Sequence, residues 1–205
     1  MAQAENAFSK GRLEAFSDGA LAVMITIMVL DLKAPESDDL AEFVKLWPSF
    51  AIYVVSFVFV AIYWINHHAI MIAARQATAS LIWANNALLL CLSLIPFATA
   101  YVGATHISPL ATMVYAALQF ACGLAFTLTH STIVTQRRDD AEFMAATRVR
   151  RLQNYAAIAV YGVSILVAAV SPVSALALFV TIAVAYVVPG LFNEATLPRS
   201  ARSER

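Results

Sequence analysis

Six apolar stretches, each about the 17–25 residues a bilayer crossing requires, take up most of the 205 residues and leave the chain few folds to choose from. They run from Arg12 to Leu32, Leu46 to Ile65, Leu81 to Val102, Leu110 to Ile133, Tyr155 to Val170 and Val173 to Val188. In hydrocarbon every backbone N–H and C=O must be satisfied within the protein, and continuous apolar runs do this as helices. With 61% hydrophobic and 13% charged residues and a mean hydropathy of +0.74, no ordinary soluble domain fits. The expected class is an all-α integral membrane protein of six transmembrane helices in one unit, residues 1–190, followed by a cytoplasmic tail at 191–205 beyond a helix stop near Gly190.

The first stretch, RLEAFSDGALAVMITIMVL, carries an acid into its span. An N-cap at Ser17 or Asp18 would leave about 15 residues, or about 22 Å, short of a hydrocarbon core of about 30 Å. Starting near Arg12 restores the length, so 12–32 is read as a retained span rather than a cleavable signal. Ser171-Pro172 forces a turn between the last two spans, a helical hairpin. Gln136 to Asn154, charge-mixed and rich in helix formers, is expected to extend the fourth and fifth helices out of the bilayer.

Thirteen Lys and Arg balance thirteen Asp and Glu, so net charge offers no argument for a nucleic-acid partner, but the distribution along the chain is uneven. Lys10, Arg12, Arg75, Arg137, Arg138, Arg148, Arg150, Arg151, Arg199, Arg202 and Arg205 fall on one side of the six-span plan, against only Lys33 and Lys45 on the other. Eleven against two places both termini in the cytoplasm of a multi-pass cell-membrane protein. Trp47, Trp64, Trp83 and Tyr101, near span ends, fit interfacial anchors. Cys91 and Cys122 sit in apolar runs without metal-ligand spacing and read as core residues.

GxSxG, HExxH, a P-loop and paired cysteines are all absent, so no enzyme chemistry and no cofactor are indicated. The potassium filter TVGYG is missing as well. At 100° per residue, Arg12, Phe16, Gly19, Val23, Thr26, Ile27 and Leu30 form one stripe of the first helix, with Ser17 and Asp18 away from it. Such a stripe meets lipid or a neighbouring helix, or it lines a pore. Copies around an axis would then set Val23, Ile27 and Leu30 as water-poor rings, a hydrophobic gate whose only side-chain oxygen is that of Thr26.

Asp18 reads either as an acceptor tying helices together or as a proton-coupling carboxylate. Candidate donors are Asn66, His67, His68, Trp83, Asn85 and Asn86. Adjacent His67 and His68 point about 100° apart on a helix, which suits a hydrogen-bond network or pH sensing better than one metal. Pro96 should kink the third span.

Arg12 followed by Phe16-Ser17-Asp18-Gly19 at the start of a first span resembles the RxxxFSDG or RxxxFSDA signature of the transmembrane protein 175 family, endolysosomal potassium channels with prokaryotic relatives. Trp64-Ile-Asn-His-His, and Asn85 to Pro96-Phe97, are similar to the same family. The resemblance implies a passive channel for K+, modestly preferred over Na+, with the first helix lining the pore. It puts the constriction at Val23, Ile27 and Leu30 and the ion-contact position at Thr26; Val23 stands where a larger Ile or Leu is usual. Arg12, Phe16, Ser17, Asp18, Gly19, His67, His68, Trp83 and Asn85 are expected to form the surrounding structural network. Prokaryotic members carry one six-span unit and assemble as tetramers, so a homotetramer is implied. The rival reading is a proton-coupled cation or small-molecule exchanger using Asp18.

Overall fold

The computed structural model describes residues 9–35 and 38–192, with side chains to Val187. Every regular element among them is a helix: α1 (Lys10–Leu30), α2 (Leu40–Lys45), α3 (Trp47–Ala73), α4 (Ala79–Ser93), α5 (Ile95–Ala104), α6 (Pro109–Gln136), α7 (Ala141–Val170) and α8 (Pro172–Phe192). Taking α4 and α5 as one interrupted span, five helices are long and apolar enough to cross a membrane, and α8 adds a shorter apolar stretch, Pro172–Val187.

Several boundaries differ from the hydropathy windows for physical reasons. The second span continues eight residues past Ile65 to Ala73, because a helix already propagating does not stop when its sequence turns polar at Asn66 to His68. The fifth begins at Ala141 rather than Tyr155, where Asp140 accepts from the Phe143 N–H and caps the helix. Thus α6 and α7 do extend through the polar connection. Short α2, also capped by an aspartate, Asp39, carries no span-length signal. Pro96 interrupts the third span as expected: its missing N–H ends the regular ladder at Leu94. Gly190 is no stop, since α8 runs to Phe192, and the expected tail, with Arg199, Arg202 and Arg205, lies outside the described residues.

Two apolar clusters hold the bundle. One joins α1 to α3, α4 and α6 through Leu21, Met28, Val60, Met71, Leu88 and Ile133. The other gathers α3, α5, α6, α7 and α8 around fully buried Phe179, whose ring lies 5.3 Å from Tyr115, 5.7 Å from Tyr161 and 6.0 Å from Phe59. That hub secures α8 against the bundle.

At the arginine-bearing end, Gln136 clamps the turn between α3 and α4: its Oε1 accepts from the N–H groups of Arg75 and Gln76, and its Nε2 donates to the Gln76 carbonyl. Arg75 also donates to Asp139 at 3.0 Å, which holds that carboxyl below its usual range. The sign follows: the ion pair is intact above the ordinary carboxylate pKa and is lost only as pH falls through the lower folded value.

Gly103 brings α5 close to the backbone of α3. A Cβ there would lie 2.8 Å from Ser49 Oγ and 3.1 Å from the Ser49 Cα, and a backbone atom cannot move aside cheaply. Gly103→Ala is expected to destabilise the protein by roughly 1–3 kcal/mol, the usual cost of overpacking, read as a lower melting temperature in detergent. Gly19→Ala, whose Cβ meets nothing within 4 Å inside the chain, should leave the unassembled subunit unchanged.

Candidate functional site

The first helix starts earlier than either sequence reading placed it. Ser9 accepts from the Arg12 N–H as the N-cap, so Ser17 and Asp18 lie well inside the helix, whose 21 residues span about 31 Å. One face is packed into the bundle: Leu13, Ser17, Leu21, Met24 and Met28.

Ser17 gives this face its register. Its Oγ donates to the Leu13 carbonyl at 2.9 Å and so has its hydrogen committed; it accepts from Asn85 Nδ2 at 3.0 Å. Asn85 Oδ1 then accepts from His67 Nε2 at 2.7 Å, because the amide oxygen cannot donate. The three buried residues thus form a one-way chain, His67 to Asn85 to Ser17, stitching α3 and α4 to α1. Near the other end, Thr99 Oγ1 lies 2.7 Å from Ser56 Oγ, which lies 3.0 Å from the Tyr115 hydroxyl. Thr99 also sits 4.0 Å from Met28 Sδ, so this second polar knot lies directly behind α1.

Asp18 has a different partner from any suggested by sequence. Trp64 Nε1 donates to its Oδ1 at 3.0 Å, on the exposed flank where α1 meets α3. Trp64 in turn stacks on His68, so a residue whose place fits an interfacial anchor also joins the network around Asp18. The proposed donors go elsewhere: Asn66 to the Ile62 carbonyl, His67 and Asn85 to the relay. Trp83 is about three-quarters exposed and makes no hydrogen bond within the described residues. Trp64 could have been found from sequence only by knowing which α3 turn faces Asp18.

The opposite face of α1 is bare. Phe16, Val23, Ile27 and Leu30 are 62%, 57%, 44% and 74% exposed, and Arg12, Gly19 and Thr26 share their face. Thr26 Oγ1 donates to the Ala22 carbonyl at 3.0 Å, which turns the hydroxyl's lone pairs outward as an acceptor. The helix therefore presents apolar side chains with one acceptor oxygen among them. Among the described residues no group of three or more His, Cys, Asp or Glu is placed to hold a metal, and His67 and His68 point to different surroundings.

Comparison with known proteins gives these features a context. Residues 12–96 match the family model described as endosomal/lysosomal potassium channel TMEM175. The chain is 34% identical over 181 residues to a potassium channel of Chryseobacterium sp. strain P1-3, covering 88% of this chain and 94% of that one. It is 35% identical over 153 residues to a potassium channel of Streptomyces collinus, covering 68% and 74%. The crystal structure of a lysosomal potassium-selective channel TMEM175 homolog from Chamaesiphon minutus superposes with a TM-score of 0.77 at 26% identity, over 87% of this chain and 96% of that one. The chain belongs to the TMEM175 family of ion channels, as a homologue of its prokaryotic members.

Proposed function

We propose that the chain is the subunit of a potassium channel in which four copies set the bare face of α1 around a common axis. The observation that carries this reading is that face itself: Val23, Ile27 and Leu30 stand exposed on one line, with the Thr26 acceptor between them. One helix face cannot enclose a path, whereas cyclic repetition converts each residue into a ring. The rings of Val23, Ile27 and Leu30 form the constriction, about 10 Å long from first to last, and the Thr26 oxygens supply its ion contacts. Potassium sheds its water more cheaply than sodium, so a dry ring passes it with a modest preference. Flux is passive, and no cofactor is required.

In the same reading all six windows cross. The two ends of the chain share the arginine-rich side only if α8 spans, and its 21 residues reach about 31 Å when the last turn is included. Both termini then lie in the cytoplasm, in accord with the unequal basic residues. Arg12, Phe16 and Gly19, on the bare face before the rings, belong to the mouth and the contacts between copies, while Ser17, Asn85, His67 and the pair Asp18–Trp64 hold α1 at its angle.

Three outcomes test the reading. Ile27→Asn and Leu30→Asn, recorded in planar bilayers under asymmetric potassium and sodium, are expected to raise unitary conductance and lower the potassium preference; unchanged currents in both would remove these rings from the pathway. Asp18→Asn keeps an acceptor oxygen for Trp64 and should retain potassium flux in proteoliposomes. Loss of flux in a folded Asp18→Asn tetramer, together with drive by a pH gradient in the parent, would establish the exchanger instead. Asn85→Leu leaves Ser17 and His67 without their buried partner, with an expected cost of about 1–3 kcal/mol per orphaned group. Its melting temperature should fall and its open-level currents become heterogeneous, as α1 loses its fixed angle.

A further inference from the structure

Between the polar ends of α6 and α7, away from α1, lies an open cavity of about 340 Å³. His130, Ser131, Thr135, Arg138, Arg151 and Tyr155 are among the residues that line it. His130 is 6% exposed, and its Nε2, itself covered from solvent, has no hydrogen-bond partner, an uncommon condition for a buried ring nitrogen; a turn of the ring would aim it into the cavity. The arginines are uncompensated. Of the nearby acids, Asp139 pairs with Arg75 at 3.0 Å and Asp140 with Arg137 at 3.7 Å and with the Phe143 N–H, while Glu142, exposed in the first turn of α7, makes no ion pair among the described residues. Among the described residues no carboxylate comes within ion-pair distance of Arg138, Arg148 or Arg151. A second hollow of about 340 Å³ adjoins along α7, sharing Arg151 and Tyr155 and adding Arg148.

The hydroxyls on the α6 wall complete the pattern. Ser131 donates to the Leu128 carbonyl and Thr135 to the Ser131 carbonyl, so both can accept from a ligand. A ligand that fits has an anionic group for two guanidiniums and an imidazole N–H, and hydroxyl hydrogens for the oxygens opposite. Up the same face of α6, at steps of four and three residues, exposed Leu128 and Leu124 replace the hydroxyls. The cavity thus sits where an apolar helix face becomes polar.

We propose that this cavity binds a phosphate ester bearing free hydroxyls, the chemistry shared by a phosphatidylglycerol headgroup and by free glycerol phosphate. Guanidinium groups bind phosphate oxygens through paired charge-assisted hydrogen bonds, and His130 Nε2 supplies a further donor. The site is separate from the ion path and does not depend on how α1 assembles.

The test is titration of the purified, delipidated full-length protein by native mass spectrometry and by thermal shift, with phosphatidylglycerol, phosphatidylcholine and glycerol phosphate. Saturable binding of phosphatidylglycerol in preference to phosphatidylcholine supports the site with a lipid occupant; binding of glycerol phosphate alone supports it with a soluble one. Arg138→Gln with Arg151→Gln is expected to weaken binding at least about tenfold, the equivalent of one lost charge-assisted contact. His130→Phe, which keeps a ring but no donor, should weaken it in the same direction. Arg150→Gln, outside the lining, should have no effect. Binding of neither phosphate compound, or an equal loss in Arg150→Gln, overturns the proposal.

Discussion

The angle at which α1 meets the bundle rests on Ser17. Its hydrogen goes to the Leu13 carbonyl and its lone pair faces Asn85, whose oxygen is taken by His67. Apolar contact alone cannot fix this angle in a bilayer, since lipid tails are as apolar as the leucines and methionines they would replace. A turn of α1 by one residue, about 100°, would carry Ser17 away from Asn85 and leave the buried Asn85 amide without its acceptor, while the Ser17–Leu13 bond inside α1 and the His67–Asn85 bond between α3 and α4 persist. The net gain of that bond is small, whereas the penalty of leaving a buried amide donor unpaired is larger. The relay is therefore chiefly a rotational lock, and the packing of Leu21, Met24 and Met28 supplies the bulk of the contact.

Behind that lock the bundle is built to resist deformation. Thr99, Ser56 and Tyr115 tie α5, α3 and α6 together beside Met28, so α1 is backed by a satisfied polar group near each end. Gly103 lets α5 lie directly on α3, and the turn following it is tight enough to put His106 and Ile107 at positive φ, 51° and 62°. For a β-branched residue that conformation is costly; it is held by the Ile107 N–H on the Val102 carbonyl and by packing of the Ile107 side chain on the cluster around Phe179.

The face of α1 was legible because it depends only on helical period: residues spaced by three and four fall on one side whatever surrounds the helix. Its seven members all came out exposed, and Ser17 fell opposite. The contacts across helices were not legible in the same way. Asn85 and His67 were picked out as polar residues in apolar runs, but their order in the relay depends on depth, which sequence does not carry. Tryptophan near a span end fits an interfacial anchor, but nothing in the sequence shows that the Trp64 indole N–H donates to Asp18. Hydropathy windows also truncated α3 and α7, since they register where apolar character ends and not where hydrogen bonding does.

The proposed pore follows from what α1 withholds as much as from what it offers. Asp18, the buried Ser17 and the partners of both are turned to the back or the flank, so at the level of the rings the axis would see methyl groups and one hydroxyl oxygen per copy. A path of that kind exerts little Coulombic attraction on a cation and cannot replace a full hydration shell, which four Thr26 oxygens would replace only in part. Its barrier would be set instead by how easily water leaves, which in the proposed pore would make side-chain size at Val23, Ile27 and Leu30 the controlling variable. Val23, the smallest of the three, leaves the widest ring if the helices run parallel to the axis; any tilt that brings their Ile27 and Leu30 ends together deepens the difference. In the proposed pore the narrowest point would then lie in the second half of α1, beyond the relay at Ser17, and the rotational lock would act on conduction through the one helix that carries both.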